Sequence, residues 1–207
     1  ENKTLTVEAG VEVQSANNVQ ININGTLSAQ GSVTENISFT ASSDNPVAGD
    51  WKKLYFSPTS QNSTMAYANI SYSGSWTDGF GGESSAIEVA TSTVAFSNIQ
   101  VSESEYRGIW LRNSNSTINN ATFDNINIKS GSAMIEVDEG SPQITNSVFK
   151  NSNSSKSYFG INVLNGVDSV ISGNNFADTN YPIQVAAADP VFSGNVASGN
   201  LYNDIYI

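Results

Sequence analysis

Ala86-Ile87-Glu88-Val89 returns as Gly108-Ile109-Trp110-Leu111, Met134-Ile135-Glu136-Val137, Gly160-Ile161-Asn162-Val163, Pro182-Ile183-Gln184-Val185 and Asp204-Ile205-Tyr206-Ile207. The period, roughly 22 to 26 residues, suits one turn of a parallel β-helix and is too short for a propeller blade. Ile87, Ile109, Ile135, Ile161, Ile183 and Ile205 form one column. Val89, Leu111, Val137, Val163, Val185 and Ile207 form another, two residues on and therefore on the same face of the strand. A second repeated element holds apolar residues five positions apart: Val94 and Ile99, Ile118 and Phe123, Ile144 and Phe149, Ile171 and Phe176, Val191 and Val196. No single coil can bury its inward side chains alone, so coils must stack about 4.8 Å apart with like residues in interior ladders. Phe123, Phe149 and Phe176 are expected to stack as rings. Asn98, Asn175 and Asn195 are expected at a turn where amides bond the coils above and below.

Working toward the N-terminus, the alternation continues in shorter runs such as Leu5-Thr6-Val7, Val11-Glu12-Val13 and Ile37-Ser38-Phe39, separated by Gly, Asn and Ser turn chemistry. Coils near residues 5–18, 19–50 and 51–85 carry longer excursions. Nothing sustains a 3.6-residue apolar period, and the β-branched and Asn content works against helix. The fold expected is all-β: a right-handed parallel β-helix, or solenoid, of about eight to nine coils. It forms a single domain over 1–207, with irregular N-terminal coils over 1–85 and regular 22–26-residue coils over 86–207.

Composition narrows the function. With 38% hydrophobic residues in a repeating pattern, the Asn- and Ser-rich chain is not a disordered one. Its formal charge is −11 and its eight Lys and Arg are scattered, too few to neutralise a run of phosphates, so nucleic acid is not an expected partner. No stretch approaches the roughly 18 apolar residues of a membrane helix, so no transmembrane segment is expected. There is no Cys, hence no disulfide and no thiol chemistry. Histidine is absent as well, which removes Ser-His-Asp catalysis, imidazole proton transfer and His metal sites together.

The opening segments, Leu5-Thr6-Val7-Glu8-Ala9-Gly10-Val11-Glu12-Val13, Ile23-Asn24-Gly25-Thr26-Leu27-Ser28-Ala29-Gln30-Gly31, Ile37-Ser38-Phe39-Thr40 and Gly49-Asp50-Trp51, resemble the first coils of β-helical surface proteins of bacteria and archaea. The remainder resembles parallel β-helix repeats of the pectin-lyase-like superfamily. That resemblance implies the fold, and it brings polysaccharide lyases and hydrolases into view without specifying a substrate. The aspartates fall at differing positions in their repeats, so no carboxylate pair stands at matching phase, and no catalytic residue is assigned. Arg112 with Glu136 on the next coil is the one acid-base pair the repeat suggests. Glu136, Asp138 and Glu139 are the candidates for calcium, the only cofactor in question, although no spaced calcium loop is present.

Aromatic faces stack on sugar rings, and Tyr and Trp also hydrogen-bond. Trp76 and Phe80 in a Gly-rich loop, Tyr106, and Trp110, which alternation turns outward from its strand, are the candidate carbohydrate contacts. Among the sequons, Asn62, Asn115 and Asn153 fall in apparent loops and are the candidate glycosylation sites. The chain stops on the strand that marks every repeat, with no polar cap after it, so the expectation is either a piece of a longer β-helix or self-association by end-to-end coil stacking. These features suggest a secreted or cell-surface structural protein, not an enzyme, for envelope or sheath assembly or adhesion. The alternative is a carbohydrate-binding or carbohydrate-active β-helix with surface glycans as partners.

Overall fold

Strands of three to five residues cannot stand alone; each must find its hydrogen bonds on the coil before and the coil after. The computed structural model of the chain shows this arrangement over the residues it describes, which are 3–75, 84–126, 132–151, 157–165, 168–202 and 205–207. The first coil contains β1 (Thr4–Val7), β2 (Glu12–Ser15) and β3 (Ile21–Ile23), and the second β4 (Thr26–Gln30), β5 (Ile37–Ala41) and β6 (Leu54–Phe56). The third has β7 (Ser63–Ala66), β8 (Ala68–Ser71) and β9 (Ser85–Ala90); the fourth, β10 (Val94–Ser97), β11 (Gln100–Ser104) and β12 (Arg107–Arg112). Next come β13 (Thr117–Asn119), β14 (Thr122–Ile126) and β15 (Ala133–Asp138), then β16 (Gln143–Thr145), β17 (Val148–Lys150) and β18 (Ser157–Leu164). The last two coils hold β19 (Val170–Ser172), β20 (Asn175–Ala177) and β21 (Thr179–Ala186), then β22 (Val191–Ser193), β23 (Val196–Ser198) and β24 (Ile205–Tyr206).

Every third strand pairs in parallel, giving three eight-stranded sheets: a first from β1 to β22, a second from β2 to β23 and a third from β3 to β24. Eight coils result. The recurring strand of the sequence closes each coil on the third sheet rather than opening it. The first three coils therefore run over 4–23, 26–56 and 63–90. The irregularity before residue 86 is confined to insertions between strands, and the three ladders pass through it unbroken.

The isoleucine column is in register from Ile21 through Leu54 and Ile87 to Ile205, and the valine column from Ile23 through Phe56 and Val89 to Val185. Ile207, expected at the end of the second column, lies beyond the paired residues and is 93% exposed. The five-residue spacing also holds, but two of its pairs change identity. In register with Ile118 and Phe123 stand Phe96 and Val101, not Val94 and Ile99. In register with Ile171 and Phe176 stand Phe192 and Ala197, not Val191 and Val196. Val191 and Val196 are one residue out of phase, which turns them to the outside of the sheet, 57% and 60% exposed.

Phe123, Phe149 and Phe176 stack with centroids 5.0 and 4.7 Å apart and nearly parallel planes. The third sheet makes room for them with glycine. A Cβ on Gly160 would lie 2.6 Å from the Phe176 ring and 2.6 Å from the Pro182 carbonyl oxygen, and one on Gly108 would lie 2.7 Å from the Met134 carbonyl oxygen.

The amide ladder exists and includes Asn195 as expected, with Asn174 in place of Asn175, while Asn98 Oδ1 accepts from Asn120 Nδ2 of the next coil in the adjacent column. Asn174 Oδ1 accepts from the Ser147 N–H at 2.9 Å, and Asn195 Oδ1 accepts from the Asn174 N–H at 2.9 Å. The Asn174 and Asn195 amide nitrogens donate to the Ile144 and Ile171 carbonyls. Asn175 is the first residue of β20 and is exposed. Asn98 belongs to the preceding column with Asn120, Asn146 and Gly173, all left-handed, with φ of 53°, 54°, 53° and 66°. Asparagine is common in this turn because it tolerates that conformation best after glycine.

Two substitutions test this core. Phe149→Ala removes the middle ring of the stack and is expected to cost about 3–5 kcal/mol, read as a lowered urea midpoint. Asn174→Ala leaves the buried Ser147 N–H and Ile144 carbonyl without partners and is expected to cost about 1–3 kcal/mol by the same measurement.

Candidate functional site

The outward side chains of the third sheet are mostly not in water. In register along it stand Glu88, Trp110, Glu136, Asn162, Gln184 and Tyr206. The first four of these are buried, at 3%, 5%, 5% and 3% exposure. Buried carboxylates need partners, because an unpaired charge there would cost several kcal/mol. Glu88 accepts from Lys53 Nζ at 2.7 Å on one oxygen and from Arg112 Nη1 at 2.6 Å on the other. Glu136 is held by Arg107 Nη2 at 2.9 Å.

This corrects the pairing read from the repeat: Arg112 reaches back to Glu88, and Glu136 belongs to Arg107. Strict alternation would have turned Arg107 inward with Ile109 and Leu111. Alternation breaks at Gly108 instead: Arg107 and Trp110 both line the outer face, with Ser85 opposite Arg107 and Ile87 opposite Ile109. Both guanidinium groups lie over the Trp110 ring, Arg107 at 5.0 Å and Arg112 at 4.8 Å from its centroid, and Arg107 also lies 4.9 Å from the Tyr106 centroid. Trp110 and Tyr106 are thus buried, at 5% and 7% exposure, and hold the arginines by cation–π attraction. Trp110 does point away from the coil interior, as alternation required, yet it forms a floor and not a projecting platform.

Above that floor runs a groove of about 570 Å³. Arg107, Trp110, Glu136, Asn162 and Gln184 line its base, and Tyr158, Phe159, Tyr181 and Tyr206 its aromatic side, with Asp138 and Leu164 opposite. The rings form a continuous cluster: Phe159 and Tyr181 are 5.5 Å apart, Tyr181 and Tyr206 5.3 Å, and Tyr181 stacks on Tyr202 at 4.5 Å. Burial among these rings, then the neighbouring phenols of Tyr202, Tyr158 and Tyr206, push the Tyr181 phenol above its ordinary value. Tyr181 is accordingly uncharged at neutral pH.

Phe159 and Tyr181 were not singled out from sequence. Their signal was available, since each stands two residues before a column isoleucine and the two are in register. Alternation counted from Ile161 and Ile183 would place both in the interior, yet both line the groove, as Arg107 does at the equivalent position. Trp76 and Phe80 lie outside the described residues, as does Asn153. Asn62 and Asn115 are exposed, and Asn115 Oδ1 accepts from the Ser141 N–H at 2.8 Å. Of the three acids considered for calcium, Glu136 is engaged by Arg107 and Asp138 lines the groove. Glu139 sits in a left-handed turn beyond it, with φ of 66°. Among the described residues no group of three metal-ligating side chains comes together.

Comparison with known proteins bears on the architecture. No curated protein matches the chain. Among solved structures, the crystal structure of alginate lyase from Paenibacillus sp. str. FPU-7 is similar at a TM-score of 0.40 and 12% identity. The alignment covers 98% of this chain and 97% of that one, a likeness too distant to carry an argument about activity. The family model described as right handed beta helix region matches residues 84–207. That span is more than half of the chain and takes in β9 to β24, the coils that build the groove, and on that match the chain belongs to the right-handed β-helix family.

Proposed function

We propose that this chain is an extracellular glycan-binding β-helix, with its ligand lying along the outer face of the third sheet. The observation that carries the reading is the groove wall, where Tyr158, Phe159, Tyr181 and Tyr206 stand beside Asn162, Gln184 and Asp138. Aromatic faces cover the apolar faces of sugar rings, while amides and carboxylates at fixed positions take their hydroxyls. A volume of about 570 Å³ lies within the range of sites that enclose small ligands. Binding without turnover is the simpler assignment, because the chain has no His or Cys and the buried acid of the groove is already neutralised by Arg107. A place outside the cell belongs to the same proposal, as polymeric glycans are found there.

A second reading is a structural role in envelope or sheath assembly or adhesion through end-to-end stacking of coils.

Tyr181→Ala is expected to weaken oligosaccharide binding at least tenfold, about 1.4 kcal/mol, in isothermal titration calorimetry, with a lowered urea midpoint because its stacking on Tyr202 and Phe159 is lost, so binding is measured where the variant is fully folded. The same samples, with and without calcium, are to be assayed for cleavage products. Accumulating products would replace binding with catalysis, and unaltered affinity in the variant would remove the groove from the proposal. Sedimentation velocity over a wide concentration range decides the second reading: growth of linear oligomers supports it, and a constant monomer dismisses it.

A further inference from the structure

We infer that the groove selects a neutral, hydroxyl-bearing saccharide over an acidic one; the inference rests on the glycan-binding reading and specifies its ligand class. Three buried polar atoms in the floor have no hydrogen-bond partner among the described residues: Arg107 Nε, Trp110 Nε1 and Asn162 Oδ1. All three residues line the groove, at 7%, 5% and 3% exposure. Two of the atoms are donors and one is an acceptor. A sugar hydroxyl serves both kinds, since it donates one hydrogen bond and accepts others, so these atoms call for a hydroxyl-bearing ligand, and the choice between neutral and acidic sugars falls to charge. Trp110 and Asn162 stand two coils apart with Glu136 between them, so their polar atoms are spread over roughly 10 Å along the groove. That span suits successive hydroxyls of a chain of sugars better than one small ion.

Charge points the same way. Arg107, the one cation that lines the groove, is already paired with Glu136, while Lys53 and Arg112 share Glu88 outside the lining. Asp138 then adds a second carboxylate to the groove, in a chain whose formal charge is −11. A uronate carboxylate entering the groove would therefore approach Asp138 and Glu136 with no unpaired cation in the lining to receive it. A neutral sugar meets no such opposition, and its binding depends little on salt.

The test is calorimetric titration of the whole chain with neutral hexasaccharides (β-1,4-linked glucose, mannose and xylose, and α-1,4-linked glucose). Hexamers of galacturonate, mannuronate and guluronate are titrated in parallel, at low and at physiological ionic strength. At least one neutral hexamer is expected to bind tenfold or more tightly than any uronate, with an affinity that salt leaves unchanged. A uronate preference would overturn this inference and leave the glycan-binding reading standing; no binding by any hexamer would overturn both. Two variants then address the floor. Asn162→Leu removes an unmatched buried oxygen, so its urea midpoint is expected to hold or rise while affinity for the preferred hexamer falls at least tenfold. Trp110→Phe removes the indole N–H and keeps a ring beneath both guanidinium groups, with a comparable loss of affinity expected. Wild-type affinity in both variants would overturn the assignment of these atoms to recognition.

Discussion

Main-chain hydrogen bonds between successive coils run through all three sheets and oblige each residue to sit directly over its counterpart one coil earlier. Whatever a position contains is repeated, at roughly 4.8 Å, as a column. Inside, the rule rewards uniformity: isoleucine over isoleucine fills space without adjustment, and Phe123, Phe149 and Phe176 gain ring stacking as well as burial. At corners it rewards residues that accept a left-handed backbone, which explains why Asn98, Asn120 and Asn146 give way to Gly173 and Gly194 and to no branched residue. An amide in the next column then bonds the coil above and the coil below at once, as Asn174 does.

Outside, the same rule is a liability. Acidic residues at one position of consecutive coils would stand roughly 4.8 Å apart in a partly dry environment, where their repulsion is large. The third sheet avoids this by placing Trp110 between Glu88 and Glu136, and by supplying cations from neighbouring columns. Lys53 and Arg112 converge on Glu88 while Arg107 takes Glu136. Both buried carboxylates are thus met by a cation, and losing Arg107 would strand the buried Glu136 at a cost of several kcal/mol, whereas Glu88 keeps Lys53 if Arg112 is lost. The rigidity of this arrangement matters for the groove above it, because a floor whose side chains are already fixed loses little freedom when a ligand arrives.

How far this was legible in the sequence depends on which residue is asked. Ile87, Ile109, Ile135 and Ile161 announce their column because a β-branched residue at fixed phase in successive repeats has no other economical use. Val191 and Val196 misled for the opposite reason: hydrophobicity suggested the interior, and only the ladder to Ile171 and Phe176 shows that Phe192 and Ala197 hold those places. The site was less visible than the fold. Period-two alternation counted from Ile109, Ile161 and Ile183 puts Arg107, Phe159 and Tyr181 inward, whereas all three line the groove. Trp110 was recognised as outward, but its burial depends on two arginines, of which alternation places only Arg112 on its face.

The break in alternation sets core and groove side by side. Glycine at 108 and 160 is demanded by the interior, where a Cβ would strike the neighbouring coil's backbone and, at Gly160, the Phe176 ring. The preceding residues Arg107 and Phe159 line the groove, and so does Tyr181, which precedes Pro182, so the outward placement belongs to the column and not to glycine alone. The polar atoms left unpartnered in that floor have no counterpart in the logic of the ladder. Buried donors and acceptors are nearly always matched in folded proteins, and each unmatched one costs about 1–3 kcal/mol. Three of them in one groove, beside carboxylates that already have their cations, are best understood as recognition groups whose partners arrive with the ligand.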